Sequence, residues 1–393
     1  MKISVVILHY QAEPFLHLCL DSLEKARQYD AILKNKNQPP TEIIVADNYS
    51  ENFDTARWKK KFPQVRFIRF DENLGFGKGN NRAVHYATGD YVLLLNPDTV
   101  VPENIFEILR QTVREHPGGG ITGVRLIDGK GNFLPESKRN LPSLPGSWAK
   151  LTGLDKIFPL PATKTYYNTR LQEEACGPND VFVGAFMFFK RKDFMELGGF
   201  DECFFMYGED IDLSRRFKEA GKPGYYCGKA SVVHFKGEST PETAAYRRHF
   251  IDATKLYNRK YYGKHALWLN FLTEILMQWK FFLHDIRSFL RKKRQTPPST
   301  VMIPPGWERH KTVLNEHFKG IPVKERMKNE PPPKGALLIF DPSTQSYGEM
   351  IQFMLAHRPQ QYRYRFYIPA LHALIGSDLP SGKGEIIYLS NET

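Results

Sequence analysis

Four short runs at the start of the chain, Ile3 to Leu8, Glu42 to Ala46, Arg66 to Phe70 and Tyr91 to Leu95, are spaced so that amphipathic helical patterns fit between them. Runs of this length bounded by polar turns read as buried strands, and strands alternating with helices fold as a mostly parallel sheet covered on both faces. Helices are expected after Pro14, which suits a first helical turn, and after Asn80. Further strands are expected over Val181 to Lys190 and Gly224 to Val233, with a helix from Ile211 to Ala220 closed by Gly221. The expected fold class is α/β: a βαβαβ order followed by a mixed half, ending near Tyr262.

Beyond that point the pattern changes. From Ala266 to Leu290 the residues Trp268, Phe271, Leu272, Ile275, Leu276, Trp279, Phe282, Leu283, Ile286, Phe289 and Leu290 recur at steps of three and four, which makes one helical stripe. Asn270, Glu274, Gln278, Lys280 and Asp285 interrupt it too often for a membrane span of about 20 apolar residues. The stripe runs into Arg291-Lys-Lys-Arg294, so the helix suits an anionic membrane surface, or packing against the main domain or in a dimer. Expected boundaries are 1–262 for the main domain, 263–295 for this basic amphipathic helix, 296–334 for a Pro-rich charged linker and 335–393 for a small α/β appendage without evident chemistry.

A chain of 393 residues with 41% hydrophobic content can bury the core of two domains, which excludes disorder of the whole. The four cysteines form no CxxC pair and suit a reducing compartment. The sequence opens on a strand pattern and offers no signal peptide, so a cytoplasmic location, peripheral at the inner face of the cell membrane, is expected. The net charge of +12 is concentrated: residues 286–334 hold 12 Lys or Arg against 4 Glu. That leaves an excess of only 4 elsewhere, too little for a nucleic-acid groove, and no nucleic-acid partner is expected.

Two acidic stretches about 110 residues apart carry the chemistry. Asn96-Pro97-Asp98 follows the run Tyr91 to Leu95, and the carboxyl end of a strand is where open α/β sheets bind ligands. Glu209-Asp210 opens a helical pattern, where an acidic residue either faces a cleft or simply complements the helix dipole. Asp47-Asn48 ends another strand, where a carboxylate can accept from a nucleobase imide or merely cap a turn.

The motifs Val5-Val-Ile-Leu-His-Tyr10, Ile44-Val-Ala-Asp-Asn48, Asn73-Leu-Gly-Phe-Gly-Lys-Gly-Asn-Asn81, Asn96-Pro-Asp98, Gly198-Gly-Phe-Asp-Glu202 and Phe205-Met-Tyr-Gly-Glu-Asp-Ile-Asp-Leu213 occur in one order over about 260 residues. This set resembles family 2 glycosyltransferases, and within them the bacterial rhamnosyltransferase branch. The resemblance implies a GT-A fold and metal-dependent, inverting transfer of a sugar from a nucleotide diphosphate to a hydroxyl. The implied donor is dTDP-rhamnose and the implied acceptor a lipid-linked saccharide, in surface polysaccharide biosynthesis of the cell envelope. Another donor, such as a galactofuranose or UDP-hexose donor, and nucleotide-sugar binding without turnover are the alternatives.

The resemblance assigns donor binding to His9, Tyr10, Asp47, Asn48, Asn73, Gly75, Lys78, Asn81, Asn96 and Asp98. It assigns general-base catalysis to Asp210 beside Glu209, the acceptor or sugar loop to Gly184, Asp201 and Glu202, and a diphosphate contact to Ser239. Asn96 departs from the family's Asp-x-Asp pattern, leaving Asp98 as that motif's only carboxylate for a divalent cation, Mn²⁺ or Mg²⁺, with His234 as a second ligand. A hard cation held by one carboxylate and substrate phosphates is chemically workable.

Overall fold

A computed structural model describes residues 1–33, 41–142, 166–237, 244–291, 297–327, 331–378 and 384–389. Ser239 lies outside these described residues.

The first four strands, β1 (Ile3–His9), β2 (Glu42–Asp47), β3 (Val65–Arg69) and β4 (Tyr91–Leu95), lie parallel in the order β3-β2-β1-β4. Helices α1 (Glu13–Leu33), α2 (Thr55–Lys61) and α3 (Phe76–Val84) connect them. Successive residues Val5, Val6 and Ile7, and likewise Val92, Leu93 and Leu94, are buried on both faces, as crossover helices require. The mixed half adds β5 (Thr99–Val100), α4 (Ile105–Glu115), β6 (Thr122–Ile127), β7 (Cys176–Pro178), β8 (Phe186–Lys190), α5 (Arg191–Glu196), α6 (Glu209–Glu219) and β9 (Tyr225–His234). Strand β8 enters antiparallel between β4 and β6, and β9 pairs antiparallel with β5 at the far edge. The result is one mostly parallel, GT-A-type sheet flanked by helices.

Local expectations shift in two places. The helix expected after Asn80 already begins at Phe76, with Gly75 as its cap at φ 73°. Its glycines serve packing: a Cβ at Gly79 would lie 2.8 Å from the Leu8 side chain, and one at Gly77 would lie 3.2 Å from Phe200 Cβ. The strand expected over Val181 to Lys190 begins only at Phe186, because the chain turns through Gly184, where a Cβ would lie 2.7 Å from the Phe76 ring.

Helices α7 (Ala244–Tyr262) and α8 (Ala266–Arg291) form a hairpin joined by the single turn Gly263–His265. Lys255 and Glu274 bridge it at 2.6 Å, and Asn258 donates to Asn270 at 3.0 Å. No helix among the described residues is long and apolar enough to cross a membrane.

The stretch expected to be a linker contributes instead to a second sheet. Strands β10 (Val301–Ile303) and β11 (Val323–Glu325), with the intervening α9 (Lys311–His317), pair into a six-stranded sheet with β12 (Leu337–Phe340), β13 (Arg363–Ile368), β14 (Ala373–Gly376) and β15 (Glu385–Tyr388). Prolines at the ends of these short strands gave the segment its linker-like composition, yet Val301, Ile303 and Leu314 are buried.

Helix α10 (Tyr347–Ala356) joins the two sheets: Leu338, Phe340, Tyr347, Met350 and Phe366 share a core with Phe15, Leu18, Val100, Val233 and Phe235. Glu103 caps this helix across the junction, accepting from the Tyr347 and Gly348 amides at 2.7 and 2.8 Å. Its negative charge lies at the helix's positive end, a favourable placement.

Candidate active site

Parallel pairing brings His9 and Asp47 opposite one another at the carboxyl ends of β1 and β2. The Ala12 amide donates to His9 Nε2 at 3.1 Å, so Nδ1 carries the proton and donates to Asp47 Oδ1 at 3.0 Å. Asp47 Oδ2 accepts from the Ser50 amide at 3.1 Å, and the residue is fully buried. Asp47 therefore fixes a turn and does not open onto the cleft; His9 is buried with it.

A cleft of about 550 Å³ opens above these strand ends. Tyr10, Asn48, Asn73, Gly75, Asn96 and Pro97 form one wall. Asn48 fastens it, donating to Asn73 Oδ1 at 2.9 Å and to the Gly75 carbonyl at 3.2 Å while accepting from the Leu74 amide at 2.9 Å. Lys78 is exposed on α3 and is not part of the cleft. Asn81 is occupied elsewhere, clamping Phe200 through both backbone groups at 2.8 and 2.9 Å and reaching Glu202 at 3.1 Å. Asp201 is held by Lys260 at 2.6 Å, so the Asp201–Glu202 loop ties α3 to α7 and stays outside the cleft. Gly184 does line it.

Behind the cleft-lining Asn96 and Pro97, β5 and β9 place Thr99 opposite His234, one residue beyond Asp98; both Asp98 and His234 are buried and neither lines the cleft itself. His234 Nε2 lies 3.4 Å from Asp98 Oδ1 and 3.5 Å from Asn96 Nδ2. Asp98 Oδ1 and His234 Nδ1 are buried and accept or donate no hydrogen bond, a cost unless something else coordinates the pair. A carboxylate and an imidazole this close, one oxygen unsatisfied, fit a divalent cation such as Mn²⁺. Among the described residues no group of three or more His, Cys, Asp or Glu is arranged to hold a metal ion, so further ligands would come from a bound phosphate.

The opposite wall starts where Tyr207 and Gly208, both left-handed at φ 69° and 82°, swing the chain into α6. Glu209, Asp210 and Asp212 crowd its first turn. The first-turn dipole favours them, but three carboxylates together repel. Asp212 is fully buried and takes hydrogen bonds from Arg216 at 2.8 Å and Tyr261 at 2.6 Å. Asp210 Oδ2 accepts from Arg139 at 2.6 Å, and its Oδ1 accepts from the Ile211 amide at 2.8 Å. Glu209 has no such cation: burial and the Asp210 charge push its carboxyl up to about 8, and its Oε2 makes no hydrogen bond.

The sequence reading missed Arg139, Glu136, Lys236 and the tyrosines Tyr166, Tyr167, Tyr257 and Tyr262 that also line the cleft. Lys236 pairs with Glu136 at 2.6 Å, holding that carboxyl below its usual range despite burial. Lys236 stands two residues after the expected ligand His234, a proximity that could have found it, whereas Arg139 stands in a stretch without periodicity and reaches the site only because its backbone pairs with Val181.

Fold and cleft define a GT-A-type α/β domain whose cleft opens at the carboxyl ends of its strands. Residues 4–198 match Glycosyl transferase family 2, and residues 174–235 match the N-terminal domain of galactosyltransferase. Together with the relatives below, these matches show that the chain is a glycosyltransferase carrying a family 2 match over residues 4–198. The N-acetylglucosaminyl-diphospho-decaprenol L-rhamnosyltransferase of Mycobacterium tuberculosis is 29% identical over 250 residues, which cover 61% of this chain and 77% of that protein. The rhamnosyltransferase WbbL of Escherichia coli is 30% identical over 169 residues, 41% of this chain and 61% of its own length. A crystal structure of GalNAc-T7 with UDP, GalNAc and Mn²⁺ superposes with a TM-score of 0.47 at 16% identity, over 76% of this chain and 59% of that one.

Proposed function

We propose that this chain moves a sugar, rhamnose in the favoured case, from a nucleotide diphosphate to a hydroxyl of a lipid-linked or saccharide acceptor, with inversion at the anomeric carbon. The observation that carries the reading is the meeting of the strand end at Asn96 and Pro97, with Asp98 buried next to them, and the Glu209–Asp210 helix start on one cleft. The relatives' names, which include an N-acetylglucosaminyl-diphospho-decaprenol L-rhamnosyltransferase, support rhamnose and a polyprenyl-diphosphate-linked acceptor; dTDP-rhamnose as donor and the inner face of the cell membrane as location complete the proposal.

Acceptor hydroxyls ionise far above neutral pH, so attack on the anomeric carbon needs a positioned base. Asp210 is that base. Arg139 fixes one oxygen and the Ile211 amide the other, which orients the carboxylate toward the cleft. Glu209, pushed up to about 8, keeps its proton at neutral pH and adds no second charge beside Asp210. Tyr10, Asn48 and Asn73 hold the donor's nucleoside half, and Lys236 faces the charge of the departing diphosphate. A divalent cation held by Asp98 and His234 would supply Lewis-acid neutralisation of that leaving group.

The test is nucleotide diphosphate release from a donor panel that includes dTDP-rhamnose and UDP-hexoses, with Mn²⁺, Mg²⁺ or a chelator. Release from dTDP-rhamnose that requires a divalent ion is expected. Release from none of the donors, or release indifferent to chelator, overturns the proposal.

A further inference from the structure

Helix α8 has two faces with opposite characters. Ala266, Leu269, Thr273 and Met277 are buried against the domain, and Thr273 lines the cleft together with Phe250, Tyr257 and Asn258 of α7. On the opposite arc, among the described side chains from 267 to 282, every exposed one is large and apolar except Gln278: Leu267 (85% exposed), Trp268, Phe271 (67%), Ile275, Trp279 (61%) and Phe282. Spaced at three and four residues, these six side chains form one stripe about 22 Å long at 1.5 Å per residue. Together they leave bare on the order of 700 Å² of apolar surface, where monomers rarely leave more than a few hundred in one patch. An apolar face of this size needs a covering.

Charge identifies what covers it. Residues 244–294, the hairpin and the run that follows it, hold 12 Lys or Arg against 3 acidic residues, an excess of 9 out of the chain's 12. A second copy would bring the same positive charge against itself, whereas an anionic lipid surface neutralises it. Trp and Phe beside lysines and arginines are also the residues that settle at a headgroup boundary.

We infer that the outer face of α8 docks this enzyme on an anionic phospholipid bilayer, lying in the interface without crossing it. The inner face of the same hairpin walls the cleft, so docking sets the catalytic groups one helix layer from the lipid surface. The surface itself stands without any assumption about turnover; only its purpose, collecting a lipid-linked acceptor, rests on the transferase reading.

The experiment is flotation of the full chain with vesicles of phosphatidylcholine, with or without phosphatidylglycerol, alongside the double variant Phe271→Glu, Trp279→Glu. Both side chains are exposed, so the fold is expected to survive, and donor hydrolysis without vesicles is the check that it does. The wild-type chain is expected to float with phosphatidylglycerol vesicles and to be released by high salt. The variant is expected to lose at least tenfold in bound fraction at unchanged hydrolysis. Flotation of the variant like wild type, no binding of wild type to anionic vesicles, or a dimer by light scattering that the double variant abolishes would each overturn the inference. Flotation needs no sugar donor, so an inactive chain that still floats counts against the transferase reading alone.

Discussion

One wall of the cleft comes from residues 8–97, on strand ends and turns of the parallel half, and neutral amides hold it: Asn48 bonded to Asn73, Leu74 and Gly75. The facing wall gathers Glu136, Arg139, Tyr207 to Asp210, Lys236 and α7 from more than a hundred residues of chain, and ion pairs hold it: Arg139 with Asp210, Glu136 with Lys236. Amide networks carry no titrating charge, so the first wall is expected to keep its shape over a wide pH range. The second concentrates charge in a dry setting, where charged groups interact strongly and proton transfer can be tuned. A rigid neutral wall suits holding a donor, and a charged one suits chemistry.

The largest expected effect is on the charged wall. Asp210→Asn should lower sugar transfer by about 10²–10⁴, the usual worth of a general base, with nucleotide binding on the amide wall retained; equilibrium binding and single-turnover kinetics separate the two. A loss of binding equal to the loss of turnover would break the division of labour. Next, Arg139→Met strands a buried carboxylate, and removing one member of such a pair costs about 3–5 kcal/mol. Urea denaturation should show it, with part of the loss recovered in the double variant with Asp210→Asn.

On the neutral side, Gly79→Ala drives a methyl into Leu8 under the wall and should cost about 1–3 kcal/mol. That loss is expected to be the same at pH 5 and pH 8. Glu209→Gln should behave otherwise. The native carboxyl holds its proton up to about 8 but the unfolded one only to about 4.5, so between these values the folded state binds more protons and loses stability as pH rises. Glutamine has no proton to lose, so the variant's melting temperature should match the wild type below pH 4.5 and gain on it progressively toward pH 8. A gap independent of pH would mean that Glu209 is not the strained carboxyl.

The C-terminal sheet adds a second contrast. Its core reaches Val100, Val233 and Phe235, which flank Asp98 and His234, and the Phe235 amide donates to the Asp98 carbonyl at 3.0 Å. The unit that showed no chemistry of its own in the sequence thus backs the strands carrying the proposed cation ligands. It does so with apolar packing, which conveys position without charge.

What the sequence by itself determined is the scaffold of the first wall. Runs such as Val5 to Leu8 and Tyr91 to Leu95 can satisfy both their apolar side chains and their backbone groups inside a parallel sheet, so strand positions, the placing of Asn96 to Asp98 at a strand end and the helix start at Glu209 were readable from local pattern. The stripe on α8 was equally plain. Tertiary structure alone decided which polar groups face the cleft. Asp47 turned inward to His9, Asn81 to Phe200 and Lys78 to solvent, while Arg139 arrived at Asp210 from 71 residues away. The supposed linker likewise became strands only because β12 was there to pair with β10. Periodicity reports which side of an element is apolar; it carries no record of the distant partner that neutralises a charge or completes a ladder, and those partners are fixed only when the chain closes on itself.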